Sequence, residues 1–224
     1  FFWDGGVKNI ETSPLNAITD ACEMGTDIET IISFLKNTAP YPELFKQAFG
    51  STEINSQLLL KSITQFMGVL VSGNSKYDKV MRNESGTAFT PEEQAGYNLF
   101  KEKCSTCHAE PFFTDFSYRS NGLDLSSTDG GRSHITGQST DFGTFRVPTL
   151  RNIEYTGPYM HDGRFYNLDE VLEHYNSGVK ASPNLDRQLK NGIPLNTAEK
   201  EQIKAFLKTL TDNEFIKNTL YSES

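Results

Sequence analysis

The pentapeptide Cys104-Ser105-Thr106-Cys107-His108 constrains this chain more than any other stretch. Two thiols at this spacing can each add across a vinyl group of haem, and the imidazole that follows then reaches the iron as its proximal ligand. A C-x-x-C pair has two other common uses. A thioredoxin-like redox pair calls for a βαβ setting, and half of a zinc site calls for a second Cys/His pair at ligand spacing. The sequence offers neither, so the pentad reads as a covalent attachment site for c-type haem.

The hydrophobic pattern on either side is helical. A helix is expected over 26–36, where Ile28, Ile31, Ile32 and Leu35 recur at helical spacing behind a Thr26/Glu29 capping box. Pro40 and Pro42 break the chain before a short helix over 43–49. A longer helix over 53–71 carries the stripe Ile54, Leu58, Ile63, Phe66, Met67 and Leu70. The polar stretch 77–88 reads as a linker. Thr90-Pro91-Glu92-Glu93 then opens a helix, with a Thr cap and Pro at the first helical position, that delivers the pentad at its end.

From 111 to 145 Gly, Ser, Thr and Asp dominate without periodicity, as in long loops that wrap a ligand. His134, within it, reads as a surface histidine. A helix over 167–176 starts on an Asn167/Glu170 capping box, and a last one over 197–210 places Ile203, Phe206, Leu207 and Leu210 on one face. The expected fold is all-α and cytochrome c-like, with long loops.

Composition limits the partners. A chain of 224 residues with 36% hydrophobic and 12% aromatic residues can build a packed core. The net charge of −8 argues against nucleic acid and favours a basic redox protein. No apolar run approaches the ~20 residues that span a bilayer. Cys22 is left over once the pentad is assigned, and reads as a buried small hydrophobe. The opening Phe1-Phe2-Trp3-Asp4-Gly5-Gly6 is not a signal peptide and reads as the interior of a longer protein.

With His108 on one side of the iron, the second axial position has five candidates: Met67, Met160, His161, His174 and Tyr175. On an ordinary helix Leu168, Val171, Leu172 and Tyr175 share a face, and His174 is rotated about 100° away. Tyr175 fits a core position as well as a ligand position. Met160 has the chemical type of a simple cytochrome ligand but no helical placement. Arg146, Arg151 and Arg164 are candidates to neutralise haem propionates, or ordinary solvent-exposed arginines.

These motifs, in order along nearly the whole chain, resemble the bacterial dihaem cytochrome c peroxidases and the related MauG enzymes. The matching stretches are Phe2-Trp3-Asp4-Gly5, Cys22-Glu23-Met24-Gly25, the pentad, Pro111-Phe112-Phe113-Thr114-Asp115, Val147-Pro148-Thr149-Leu150-Arg151-Asn152 and Pro158-Tyr159-Met160-His161-Asp162-Gly163. The resemblance implies two haems, of which this chain carries the attachment site of the C-terminal one and a second is expected upstream. It divides the chain into 1–86, the helical remainder of an N-terminal peroxidatic domain, and 87–224, a C-terminal cytochrome c domain with a terminal tail.

The same resemblance implies reduction of hydrogen peroxide with electrons from a small cytochrome c or cupredoxin. Trp3 would relay electrons between the haems, and Glu23 would act as acid and base in splitting the O–O bond. Ser13 stands where many members carry a glutamine. Tyr175 stands where classical peroxidases carry methionine, as in MauG-like members, which raises it above Met160 as the distal ligand. The carbonyls of Thr156 and Pro158 would bind calcium. Periplasmic location follows from covalent haem, and a homodimer is one assembly the resemblance allows. The alternative functions are a MauG-like oxidase acting on a protein or cofactor, and a single-haem electron-transfer module.

Overall fold

A computed structural model describes residues 2–222 and is predominantly helical. It divides into two compact units, Val7–Val71 and a second that joins Phe2–Gly6 to the chain from Ser72 onward. No helix among the described residues is long and apolar enough to cross a membrane.

The first unit holds α1 (Ser13–Thr19), α2 (Ile28–Asn37), α3 (Tyr41–Phe49) and α4 (Ser56–Val69) around Leu35, Phe45, Ile54 and Leu59. The start of α2 lies later than expected. Asp27, not Thr26, is its cap, and its carboxylate accepts from the Thr30 N–H at 2.8 Å and the Thr30 hydroxyl at 2.7 Å. The carboxylate gives each donor its own acceptor oxygen.

The second unit begins with α5 (Lys76–Met81), inside the stretch expected to be a linker and assigned to the first domain. Three tertiary contacts hold it there. Tyr77 is buried in the second core, its N–H donates to the Thr209 carbonyl at 3.0 Å, and Asp78 pairs with Arg151 at 2.9 Å. The polar side chains of this stretch find partners distant in sequence, so composition misleads.

The core of this unit is built where α6 (Pro91–Lys103) meets α9 (Thr197–Lys208), with Phe100, Phe113, Ile203, Phe206 and Leu210 almost fully buried. The capping box that opens α6 forms as expected: Glu93 N–H donates to Thr90 Oγ1 at 3.2 Å, and Thr90 N–H donates to Glu93 Oε2 at 2.7 Å. Gly96 lets the two helices approach. An added Cβ there would lie 1.9 Å from the Gln202 carbonyl oxygen of α9. Gly96→Ala should therefore destabilise the unit by about 1–3 kcal/mol through overpacking, against the ~1 kcal/mol that helix propensity alone would gain. Urea unfolding of both proteins gives the sign.

Between these helices the expected loop carries only short elements: β1 (Tyr118–Arg119), α7 (Ser133–Thr136) and β2 (Phe145–Arg146), with β1 and β2 antiparallel. After it, α8 (Leu168–Glu173), capped by Asn167, does not continue as an α-helix. It passes into a π-helical turn over His174–Gly178. A π turn widens the helix by one residue, so the 3.6-residue face argument fails from His174 on. His174 is buried and Tyr175, its neighbour, is half-buried.

Candidate haem site

Cys104 is the C-cap of α6, its N–H bonded to the Phe100 carbonyl. The chain then turns on itself: the Cys107 and His108 N–H groups return to the Cys104 carbonyl at 3.2 and 3.0 Å. One turn thus presents both thiols and the imidazole. Both cysteines are free. Burial pushes the Cys104 thiol up to about 12 and raises that of Cys107 as well. Disulfide exchange needs a thiolate at neutral pH, so this pair is poorly suited to dithiol redox work.

His108 Nδ1 lies 3.1 Å from the Phe113 carbonyl. Donation to that carbonyl fixes the tautomer and leaves the lone pair on Nε2, the form that binds a metal. Burial holds the imidazole below its ordinary value, so it is neutral. Phe113 is in turn fixed in the core with a positive φ of 55°.

The five distal candidates have different surroundings. Burial pushes the Tyr175 phenol up to about 12, with a smaller contribution from Cys104 and Cys107. Met160 Sδ accepts from Asn121 Nδ2 at 3.3 Å. His174 is committed elsewhere, its Nε2 3.0 Å from the Asn121 carbonyl. His161 stacks on Phe145 with ring centroids 3.6 Å apart. Met67 belongs to α4 in the first unit.

The three arginines separate clearly. Arg151 is not available to a propionate: Nη1 and Nη2 each donate to an Asp78 oxygen at 2.9 Å, and Nε and Nη2 donate to the Pro111 carbonyl. Arg164 is held by Asp124 and Asp162. Arg146 differs, because its Nε is buried without a hydrogen-bond partner. A buried, unpartnered guanidinium N–H is costly, and an acidic ligand group would relieve it. Two neutral thiols, a tautomer-fixed imidazole and this unsatisfied donor fit a haem c with its carboxylate side chains.

Trp3 belongs to the second unit, where its carbonyl accepts from the Arg146 N–H at 2.7 Å. Glu23 lies in the first unit on the exposed turn after α1, with Cys22 beside it. Cys22 is exposed, not buried: its N–H donates to Asp20 Oδ1 in that turn, which faces no core. Thr156 and Pro158 are exposed at the end of a 3₁₀ turn, and among the described residues no three His, Cys, Asp or Glu side chains converge as a metal site. His134 is exposed and 3.8 Å from Asp129, as a surface histidine should be. Asn121 was not visible in advance, because it sits in an aperiodic loop and its contacts come from distant segments.

A helix ending in two thiols and a metal-ready imidazole, packed on α9, has the parts of a c-type haem-binding unit. Comparison with known proteins narrows this. A family described as di-haem cytochrome c peroxidase matches residues 1–86. The cytochrome c551 peroxidase of Nitrosomonas europaea is 34% identical over 218 residues, covering 95% of this chain and 62% of that protein. The methylamine utilization protein MauG of Methylorubrum extorquens is 34% identical over 216 residues, covering 94% and 60%. A crystal structure of a MauG-like protein associated with microbial copper homeostasis superposes with a TM-score of 0.85 at 29% identity, covering 98% of this chain and 75% of that one. The chain belongs to the dihaem cytochrome c peroxidase and MauG family. It spans about three-fifths of the length of these two curated relatives.

Proposed function

We propose that this chain is part of a dihaem cytochrome c peroxidase, which reduces hydrogen peroxide to water with electrons from a small redox protein, a cytochrome c or a cupredoxin. The observation that supports this most directly is the turn after α6, which presents Cys104, Cys107 and the Nδ1-anchored His108 together. In this reading Cys104 and Cys107 would tether the haem, His108 would ligate its iron, Tyr175 would be the second protein ligand with Met160 as the alternative, and Arg146 would hold a propionate. When bound, the haem supplies one-electron redox chemistry at iron.

The other residues supply binding and proton handling. Each peroxide consumes two electrons and two protons and yields two waters. Glu23 takes the proton from the incoming peroxide and returns it to the departing oxygen, so that water leaves instead of hydroxide. Trp3, whose backbone is tied to Arg146, would relay electrons between this haem and a second, peroxidatic one. The carbonyls of Thr156 and Pro158 contribute to a calcium site, since a hard cation prefers oxygen donors. Covalent haem attachment outside the reducing cytosol implies the periplasm. The charge of −8 favours a basic donor.

Tyr175, together with the MauG relatives, favours a second reading, oxidation of a protein or cofactor. Stopped-flow mixing of the full-length haem protein with peroxide and a cytochrome donor separates the readings. A peroxidase turns over rapidly, whereas a MauG-like oxidase holds its oxidised state and turns over weakly. An absence of any reaction leaves only an electron-transfer module. In the peroxidase, Glu23→Gln should lower kcat by about 10²–10⁴-fold while leaving the haem spectrum unchanged.

A further inference from the structure

The two cysteines of the pentad are held by different parts of the structure. Cys104 ends α6 and packs against the core. Cys107 lies beyond the helix, and its carbonyl accepts from the Asp115 N–H at 2.9 Å. Asp115 belongs to a short segment that meets the pentad turn twice more: the Thr114 N–H donates to the Ala109 carbonyl at 3.1 Å, and the Phe113 carbonyl lies 3.1 Å from His108 Nδ1. Phe113 and Phe116, on either side of Asp115, have φ of 55° and 59°. Non-glycine residues stay in the left-handed region only where their surroundings hold them there. The side chain that ties this segment down is Arg119, on β1. Its Nη2 donates to Asp115 Oδ2 at 2.7 Å, its Nε to Ser117 Oγ at 2.7 Å and its Nη1 to Asp186 Oδ2 at 2.6 Å. Asp186 comes from far along the chain and is itself fixed, its N–H donating to the Ser120 carbonyl at 3.0 Å and its Oδ1 accepting from the Gln188 N–H at 2.9 Å. A planar guanidinium with five donors in a rigid fork can span two carboxylates, which the point charge of a lysine does less well.

We propose that Arg119 is a positioning residue for the second thioether, clamping Asp115 to Asp186 so that Cys107 is held where its sulfur can bond to haem. This rests on the reading of the pentad as a haem-attachment turn. Each thioether forms when a thiol S–H adds across a vinyl C=C: the sulfur bonds to one carbon, the hydrogen ends on the other, and nothing is oxidised or reduced overall. The step needs no further reactant, so where the sulfur is held relative to the vinyl carbon governs its yield. For Cys104 that position is set by α6, whose last turn bonds the Cys104 N–H to the Phe100 carbonyl at 2.8 Å. For Cys107 it is set through Asp115, and so through Arg119. Losing the guanidinium leaves two largely shielded carboxylates without their counter-charge and frees the segment that grips Cys107. The two thioethers therefore differ in their dependence on Arg119.

The test uses the polypeptide of residues 1–224, made together with a haem-maturation apparatus and read by haem stain on a denaturing gel. Cys104→Ala leaves only the Cys107 bond, and Cys107→Ala only the Cys104 bond. Adding Arg119→Met should remove most of the stain in Cys104→Ala and leave it unchanged in Cys107→Ala. With both cysteines present, Arg119→Met should yield haem with one unreacted vinyl group, seen as a redward shift of its pyridine haemochrome band. Arg119→Lys keeps the charge without the fork and should act in the same direction with a smaller loss; it decides the question if circular dichroism shows Arg119→Met unfolded. A stain lost equally in both single-cysteine backgrounds would make Arg119 a support of the fold alone, and a stain and band unchanged throughout would remove it from attachment. Either result overturns the proposal. Haem that survives denaturation in the Cys104→Ala/Cys107→Ala double variant overturns the underlying assignment of the pentad instead.

Discussion

In the polypeptide of residues 1–224, changing Cys104 and Cys107 together to alanine should leave no haem bound through denaturing extraction. Each thioether requires one thiol, and no other cysteine among the described residues belongs to this unit, since Cys22 lies in the other. Alanine is the right replacement because Cys104 packs against the core containing Phe100 and Phe206. Serine there would bury a hydroxyl at a cost of about 1–3 kcal/mol and mix a folding defect into the result. With alanine, far-ultraviolet circular dichroism should stay close to wild type while the haem stain on a denaturing gel disappears. A single Cys107→Ala should retain a weaker stain through one remaining bond. Haem that resists extraction from the double variant would mean that this turn is not the attachment site.

Asp78→Ala should be among the most destabilising substitutions away from the aromatic core, by about 3 kcal/mol. The Asp78–Arg151 pair is largely shielded, with side chains 10% and 13% exposed. Removing the carboxylate leaves the guanidinium buried and uncompensated. It also removes the acceptor for the Ser75 N–H and hydroxyl at the start of α5. Arg151 is further bound to the Pro111 carbonyl, close in sequence to Phe113, whose own carbonyl anchors His108. The variant should therefore loosen the His108 loop as well as the fold. Arg151→Met should lose less, and the double variant should show that the two effects are not additive.

The same pair sets a pH dependence. Burial alone would raise the Asp78 carboxyl, but hydrogen bonds from Arg151 and Ser75 outweigh it and hold the group below the ordinary carboxylate range. A carboxyl lowered in the folded state stabilises fully above its unfolded value, near about 4, and the contribution disappears as pH falls through the folded value. Urea midpoints should thus decline on the acid side in the wild type, and the decline should be shallower in Asp78→Ala.

What was legible in advance was local. The pentad needs only five consecutive residues at the end of a helix, and the Thr90/Glu93 box that starts this helix lies within one turn. Both are written in short-range spacing and survive in the structure. Helix α9 was equally plain, because Ile203, Phe206 and Leu207 repeat with the helical period and do meet the core.

What failed depended on partners that spacing does not reveal. Residues 77–88 look like a linker until Thr209 and Arg151 arrive from far along the chain. Arg151 and Arg146 cannot be told apart by sequence, yet one is saturated by Asp78 and the other keeps a buried N–H unsatisfied. The helical wheel put His174 and Tyr175 on different faces, and the π turn made that geometry inapplicable. By itself the amino-acid order determined that this chain carries a C-x-x-C-H turn at the end of a capped helix, since such spacing and capping act over a few residues. Only the tertiary structure decided which arginine is left to meet an anion and that Asn121 reaches the Met160 sulfur, because hydrogen bonds are made by proximity in space and long loops bring together residues that no periodicity connects.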